Sequence, residues 1–172
     1  MSRNWVYELT PAFVGAHEVN HLSASLIGGW NHKVRAAEVG PLFDEQDLGA
    51  DSVLYGLLTC DRVLRKVEGL AGVEATDGPV SAWASRYGAG DFISRHRDVA
   101  GRAHALLVLE RPDAPFGGQL IIETSKGCVK EIDAGVGDLL IFDAHRYAHW
   151  TTPLTSDVGY RVIAVARYYG RS

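Results

Sequence analysis

Cysteine is scarce in this 172-residue chain: Cys60 and Cys128 stand in separate segments, without the paired spacing of a metal site. They provide no disulfide framework, and two buried, reduced thiols suit a reducing compartment. An excess of one charge is equally lacking. The formal net charge is −4 and the basic residues are scattered, so no stripe exists for wrapping nucleic acid. No apolar run approaches membrane-spanning length, and Met1 to Thr10 carries charge where a secretion signal needs unbroken apolar residues. Repeats and low-complexity segments are missing too. The expectation is a cytoplasmic protein with no membrane and no nucleic-acid partner.

What is present is 47% hydrophobic residues, enough for one substantial core. The expected organisation is a single domain over residues 1–172, with 1–79 as mainly helical support and 80–172 as the main β core. Thr10-Pro11 reads as a helix start, with a helix to Leu26 and a break at Gly28-Gly29. Lys33 to Val39 reads as extended and ends at Gly40-Pro41. A second helix begins at Asp51 or Ser52, carries Val53, Leu57, Cys60, Leu64 and Val67 at helical spacing, and ends at Gly69. The second half changes to short runs rich in β-branched and aromatic residues. Eight strands are expected, near Val80 to Tyr87, Phe92 to Arg97, Ala103 to Glu110, Gln119 to Glu123, Cys128 to Ile132, Asp138 to Phe142, Tyr147 to Thr151 and Arg161 to Tyr169. Helices followed by eight such strands point to an α+β protein, mainly β, built as a double-sheet jelly roll of the cupin type.

Two motifs offer metal ligands. His17-Glu18-Val19-Asn20-His21 matches the helical zinc-peptidase pattern, in which two histidines one turn apart bind zinc and the glutamate activates water. No strand precedes it to form a substrate edge and no third ligand follows at a familiar spacing, so an ordinary solvated helix face is the better reading. The other motif is His96-Arg97-Asp98 with the distant His149. Residues two apart on an extended strand point the same way, so His96 and Asp98 can reach one ion while Arg97 faces away. Two imidazoles and one carboxylate leave coordination positions open for a co-substrate and oxygen.

A His-x-Asp triplet alone is weak evidence, but here it stands in an ordered series. Tyr87-Gly88-Ala89-Gly90-Asp91-Phe92 precedes it, and Phe116-Gly117-Gly118-Gln119-Leu120, Gly137-Asp138-Leu139-Leu140-Ile141-Phe142, His149 and Arg161 follow. From Ser81 to Tyr169 this order resembles the prolyl-4-hydroxylase-like branch of the 2-oxoglutarate and iron(II)-dependent dioxygenases. The resemblance implies a double-stranded β-helix with Fe(2+) held by His96, Asp98 and His149, 2-oxoglutarate and O2 as co-substrates, and ascorbate as a stimulant. It implies that Arg161 binds the distal carboxylate of 2-oxoglutarate, a pairing that a guanidinium fork suits. Its separation from His149 is longer than the family usually shows. Tyr87 is the expected hydroxyl donor to 2-oxoglutarate. His104, on a strand where many relatives carry threonine and tyrosine, is expected to line the co-substrate pocket. A carboxylate at Asp98 favours hydroxylation over halogenation, since related halogenases have a small residue there.

The expected activity is hydroxylation of an unactivated C–H bond in a small molecule, a free amino acid or natural-product intermediate, with release of succinate and CO2. Trp83, Arg86, Arg95, Arg146 and Trp150 are the candidate substrate residues. A peptidyl or prolyl hydroxylase acting on protein, a non-catalytic jelly-roll binding module, and a zinc peptidase using His17, Glu18 and His21 are the alternatives. Oligomeric state is not encoded in any motif.

Overall fold

Alternating and continuous apolar runs in the second half fold as strands. The computed structural model describes all residues except 1–4, 27, 35–42, 73–78, 80, 113–116, 126, 156, 158 and 170–172. In chain order the elements are β1 (Tyr7–Thr10), α1 (Ala16–Ala24), β2 (Asn31–Val34), β3 (Phe43–Asp47), α2 (Val53–Leu58), α3 (Asp61–Ala71) and β4 (Ser81–Tyr87). There follow β5 (Ala103–Glu110), β6 (Leu120–Ser125), β7 (Cys128–Ile132), β8 (Leu139–Asp143), β9 (His149–Thr151) and β10 (Arg161–Tyr168). Seven strands form one antiparallel sheet in the order β1-β8-β5-β10-β4-β3-β2, and three form a second in the order β7-β6-β9. The protein is mainly β, as expected, and two antiparallel sheets of this kind are the layers of a jelly roll.

Two apolar clusters account for the layering. Leu106, Val108, Leu140, Phe142, Ile163 and Val165 of the large sheet pack with Leu120, Ile122 and Ile132 of the small one. On the other face of the large sheet, Ala105, Leu107, Ile141 and Ala164 pack with helix residues Val19, Leu22, Leu54, Val63 and Val67. A strand covered on both faces reads as a continuous apolar run, and Ala103 to Leu109 of β5 are accordingly all buried.

The first half departs from expectation in several ways. It contributes three strands as well as three helices. Thr10 does not cap a helix: it pairs with Leu139 at the end of β1, after which Pro11 and Ala12 turn the chain and the Ala12 amide donates to Asp138 Oδ1 at 2.8 Å. Helix α1 therefore starts at Ala16. The second helix is two, because Cys60 is extended (φ −66°, ψ 154°). This break lets Leu54 and Leu58 of α2 and Val63, Val67 and Ala71 of α3 all bury in the same cluster. Helix α3 ends not at Gly69 but at Gly72, whose φ of 61° closes it in the left-handed conformation. Residues 35–39 of the expected extended segment, with Gly40 and Pro41, lie outside the described residues.

The run Phe92 to Arg97 is not a full strand. It joins β9 through a single bridge between His96 and His149, supported by a hydrogen bond from the Thr151 amide to the Ile93 carbonyl. Both cysteines are free. Only Cys60 is partly buried, while Cys128 is exposed on the edge strand β7. Among the described residues no helix is long and apolar enough to cross a membrane.

Candidate metal centre

The bridge that ties residues 92–97 to β9 also builds the centre. His96 and His149 exchange backbone hydrogen bonds of 3.0 and 2.9 Å, which sets their rings side by side with centroids 4.3 Å apart. Asp98 follows two residues after His96 and is tied down by its amide, which donates to the Ala144 carbonyl at 3.0 Å. Ligand atoms of His96, Asp98 and His149 all lie within 4.8 Å of one another, the one such group of histidine, cysteine and acidic residues among the described residues. Asp98 Oδ1 is 3.3 Å from His96 Nε2 and 3.9 Å from His149 Nε2. Adjacent ligands of an ion with bonds near 2.1 Å sit about 3 Å apart, so small side-chain adjustments close this set on a metal.

Tautomers agree with that use. His96 Nδ1 lies 2.8 Å from the Ser94 carbonyl and His149 Nδ1 lies 3.1 Å from the Tyr147 carbonyl. A carbonyl can only accept, so each Nδ1 carries a proton and each Nε2 is the atom left to face an ion; on His96 that nitrogen lies 3.3 Å from Asp98 Oδ1, and a proton held between them leaves only when an ion binds. Burial, with the positive field of His96, depresses the His149 pKa to about 4 and keeps the ring neutral. Burial alone would raise Asp98, but hydrogen bonds from His104 and His96 outweigh it and hold the carboxyl well below its ordinary range. Burial lowers His96, yet its bonds to Asp98 and Ser94 leave it net raised.

The centre opens on a cavity of about 230 Å³ between the sheets. Along β10, residues 161, 163, 165 and 167 face it, and both Arg161 and Arg167 line its wall. Arg161 is 6% exposed, lies over the Tyr87 ring at 5.5 Å, and its Nη1 is buried without a hydrogen-bond partner among the described residues. Gly118 makes room for it. A Cβ there would stand 2.9 Å from Arg161 Cδ, and its φ of +76° strains any other residue. A buried guanidinium with an unmatched donor is a site for an anion. His96, Asp98, His149 and Arg161 line the same cavity, so one bound anion has access to both the metal group and the guanidinium.

Tyr87 is buried beside Arg161, and burial pushes its phenol up to about 12. His104 also lines the cavity, but at the metal end: its Nε2 is 2.7 Å from Asp98 Oδ2. Of the five candidate substrate residues, Trp83 alone lines the cavity. Arg86 points to the other face of β4, paired with Asp44 at 2.5 Å and stacked near Trp30. Arg95 pairs with Glu123, Arg146 is exposed over Tyr147, and Trp150 is half-buried away from the wall. Glu45, Ile93, Thr151 and Arg167 line the cavity without having been anticipated. Arg167 was accessible from the two-residue period of β10, whereas Glu45 belongs to a strand with no apolar alternation. His17, Glu18 and His21 are exposed on α1 with no third ligand beside them among the described residues, which removes the basis for the zinc-peptidase reading. Phe116 lies outside the described residues.

No family model and no curated protein matches the chain. Solved structures do. A prolyl-4-hydroxylase from Pseudomonas putida aligns with TM-score 0.74 and 19% identity over 96% of this chain and 93% of that one. A prolyl hydroxylase from Trichoplax adhaerens, in complex with a hypoxia inducible factor peptide, aligns with TM-score 0.76 and 22% identity over 95% and 83%. The non-haem α-ketoglutarate-dependent epimerase SnoN of nogalamycin biosynthesis aligns with TM-score 0.71 and 18% identity over 98% and 80%. The fold is therefore that of the 2-oxoglutarate and iron(II) oxygenases.

Proposed function

We propose that this protein is a 2-oxoglutarate and iron(II)-dependent oxygenase that hydroxylates a C–H bond of a small molecule. The observation that carries the reading is the pairing of His96, Asp98 and His149 at one end of a cavity with the unmatched buried guanidinium of Arg161 at the other. When bound, iron(II) and 2-oxoglutarate supply oxygen activation coupled to oxidative decarboxylation, with release of succinate and CO2.

The chain's own work is placement. Two neutral imidazoles and one carboxylate hold the ion and leave the rest of its coordination sphere free. Arg161 binds the far carboxylate of the co-substrate and so orients its other end. Tyr87 stays a neutral phenol and offers a hydroxyl beside that carboxylate. Leu106, Leu120, Phe142 and Ile163 keep water from the space between. Trp83 and Ile93 border the region where a substrate C–H bond approaches.

The small-molecule reading is supported by the size of the cavity and by the likeness to SnoN, while the likeness to the Trichoplax enzyme supports a peptide. Succinate release separates them. Purified protein with iron(II), ascorbate and 2-oxoglutarate is assayed against free amino acids, small polycyclic metabolites and proline-containing peptides. Stimulation by a free small molecule is expected; stimulation by peptides alone would replace the small-molecule reading, and no succinate under any condition would favour a binding module.

A further inference from the structure

We propose that His104, seconded by Arg167, is a positioning residue for the metal-binding carboxylate, holding Asp98 Oδ2 so that only Oδ1 faces the ion. This rests on the reading of His96, Asp98 and His149 as ligands. The two carboxylate oxygens have separate surroundings. Oδ1 faces the Nε2 atoms of His96 and His149, whereas Oδ2 lies 2.7 Å from His104 Nε2 and 3.2 Å from Arg167 Nη2.

A neutral imidazole carries one N–H, and a nitrogen so close to a carboxylate oxygen is the one that donates. His104 therefore donates through Nε2 to Oδ2. Arg167 Nε also points its N–H at that nitrogen, at 3.2 Å; because Nε2 lies closer to the carboxylate oxygen and spends its proton there, Nη2 is the guanidinium donor that acts on Asp98. An oxygen that already accepts two donors is a poor second ligand, so the carboxylate binds through one atom and one more coordination position stays open.

The surroundings make His104 stiff enough for this role. It is 6% exposed, and Trp83 and Phe142 meet its ring edge-to-face at 5.7 and 5.4 Å. Register places His104 directly across from Arg167 on one side and Phe142 on the other. Arg161 lies six residues along β10 from Arg167, about 20 Å of strand. His104 thus serves the metal end of the cavity, and the far carboxylate of a bound dicarboxylate is out of its reach.

The test is calorimetric titration of the full metal-free chain with cobalt(II) alone, comparing wild type, His104→Phe and His104→Gln. Phenylalanine keeps the ring packing without the donor, and the glutamine amide restores an N–H at a similar reach. Loss of an outer partner typically weakens metal binding by about 10–100-fold. That loss is expected for His104→Phe, near-wild-type affinity for His104→Gln, and unchanged 2-oxoglutarate affinity for both once cobalt is saturating. Should His104→Phe fail to fold, Arg167→Met carries the test, with a smaller loss expected. Cobalt affinity in His104→Phe equal to wild type overturns the proposal, as does a loss confined to 2-oxoglutarate. Failure of the wild type to bind cobalt would instead overturn the metal centre itself.

Discussion

Arg161 shows what a single residue contributes and what it costs. Its guanidinium is buried with one donor unmatched among the described residues, an arrangement that suits an incoming anion. Truncating one partner of a buried charge pair typically costs 2–5 kcal/mol, so Arg161→Met should weaken 2-oxoglutarate binding by about 30-fold or more while leaving cobalt affinity intact. Titration of the cobalt-loaded variant checks this, and unchanged 2-oxoglutarate affinity would remove Arg161 from the site. Tyr87 yields a prediction in pH. Its phenol titrates near 12 in the fold against an ordinary 10.0, so the folded chain keeps a proton that the unfolded chain loses. Stability is then fully present below about pH 10 and is lost as pH rises towards 12, by an amount on the order of 1 kcal/mol at about pH 11. Tyr87→Phe should lose less stability than wild type between about pH 9 and 11 in urea melts; equal losses would contradict the assignment. At this scale the sequence was legible wherever strand parity could be counted. With Tyr87 facing in, Arg86 had to face out, and with Arg161 facing in, Arg167 had to follow.

Among the elements, the strands whose partners cover both faces announced themselves. β5, β8 and β10 read as continuous apolar runs because helices lie on one side and the small sheet on the other. β3 did not, since Phe43-Asp44-Glu45-Gln46-Asp47 has a single apolar residue and owes its conformation to pairing with β4, a long-range effect that local pattern cannot carry. β1 was masked by Thr10-Pro11, which suits a turn as well as a helix start. The helices stabilise the large sheet from the face opposite the cavity, so their loss should be a matter of stability. Leu54 of α2 is 0% exposed, and Leu54→Ala should cost about 2–5 kcal/mol without altering metal affinity. Paired denaturation and cobalt titrations test this, and a loss of affinity in the folded variant would mean that the helical layer shapes the centre directly.

Taken whole, the molecule separates support from chemistry. One apolar layer joins the helices to the large sheet, a second joins the two sheets, and the cavity lies in the second, with His96, Asp98 and His149 at one end and the Arg161 guanidinium at the other. Motif order from Tyr87 to Arg161 made both ends legible in the sequence, because each strand has a set facing and the strands recur in a fixed order. The outer side of the substrate region was not, because Glu45 reaches it from β3, a strand without apolar alternation that is held between β2 and β4. The most direct measurement is anaerobic: iron(II)-loaded protein titrated with 2-oxoglutarate and followed by visible absorption. A weak charge-transfer band that saturates at one equivalent and is abolished by Asp98→Ala or His149→Ala is expected. A wild-type protein with no band, or variants that keep it, would rule out iron(II) and 2-oxoglutarate binding at His96, Asp98 and His149.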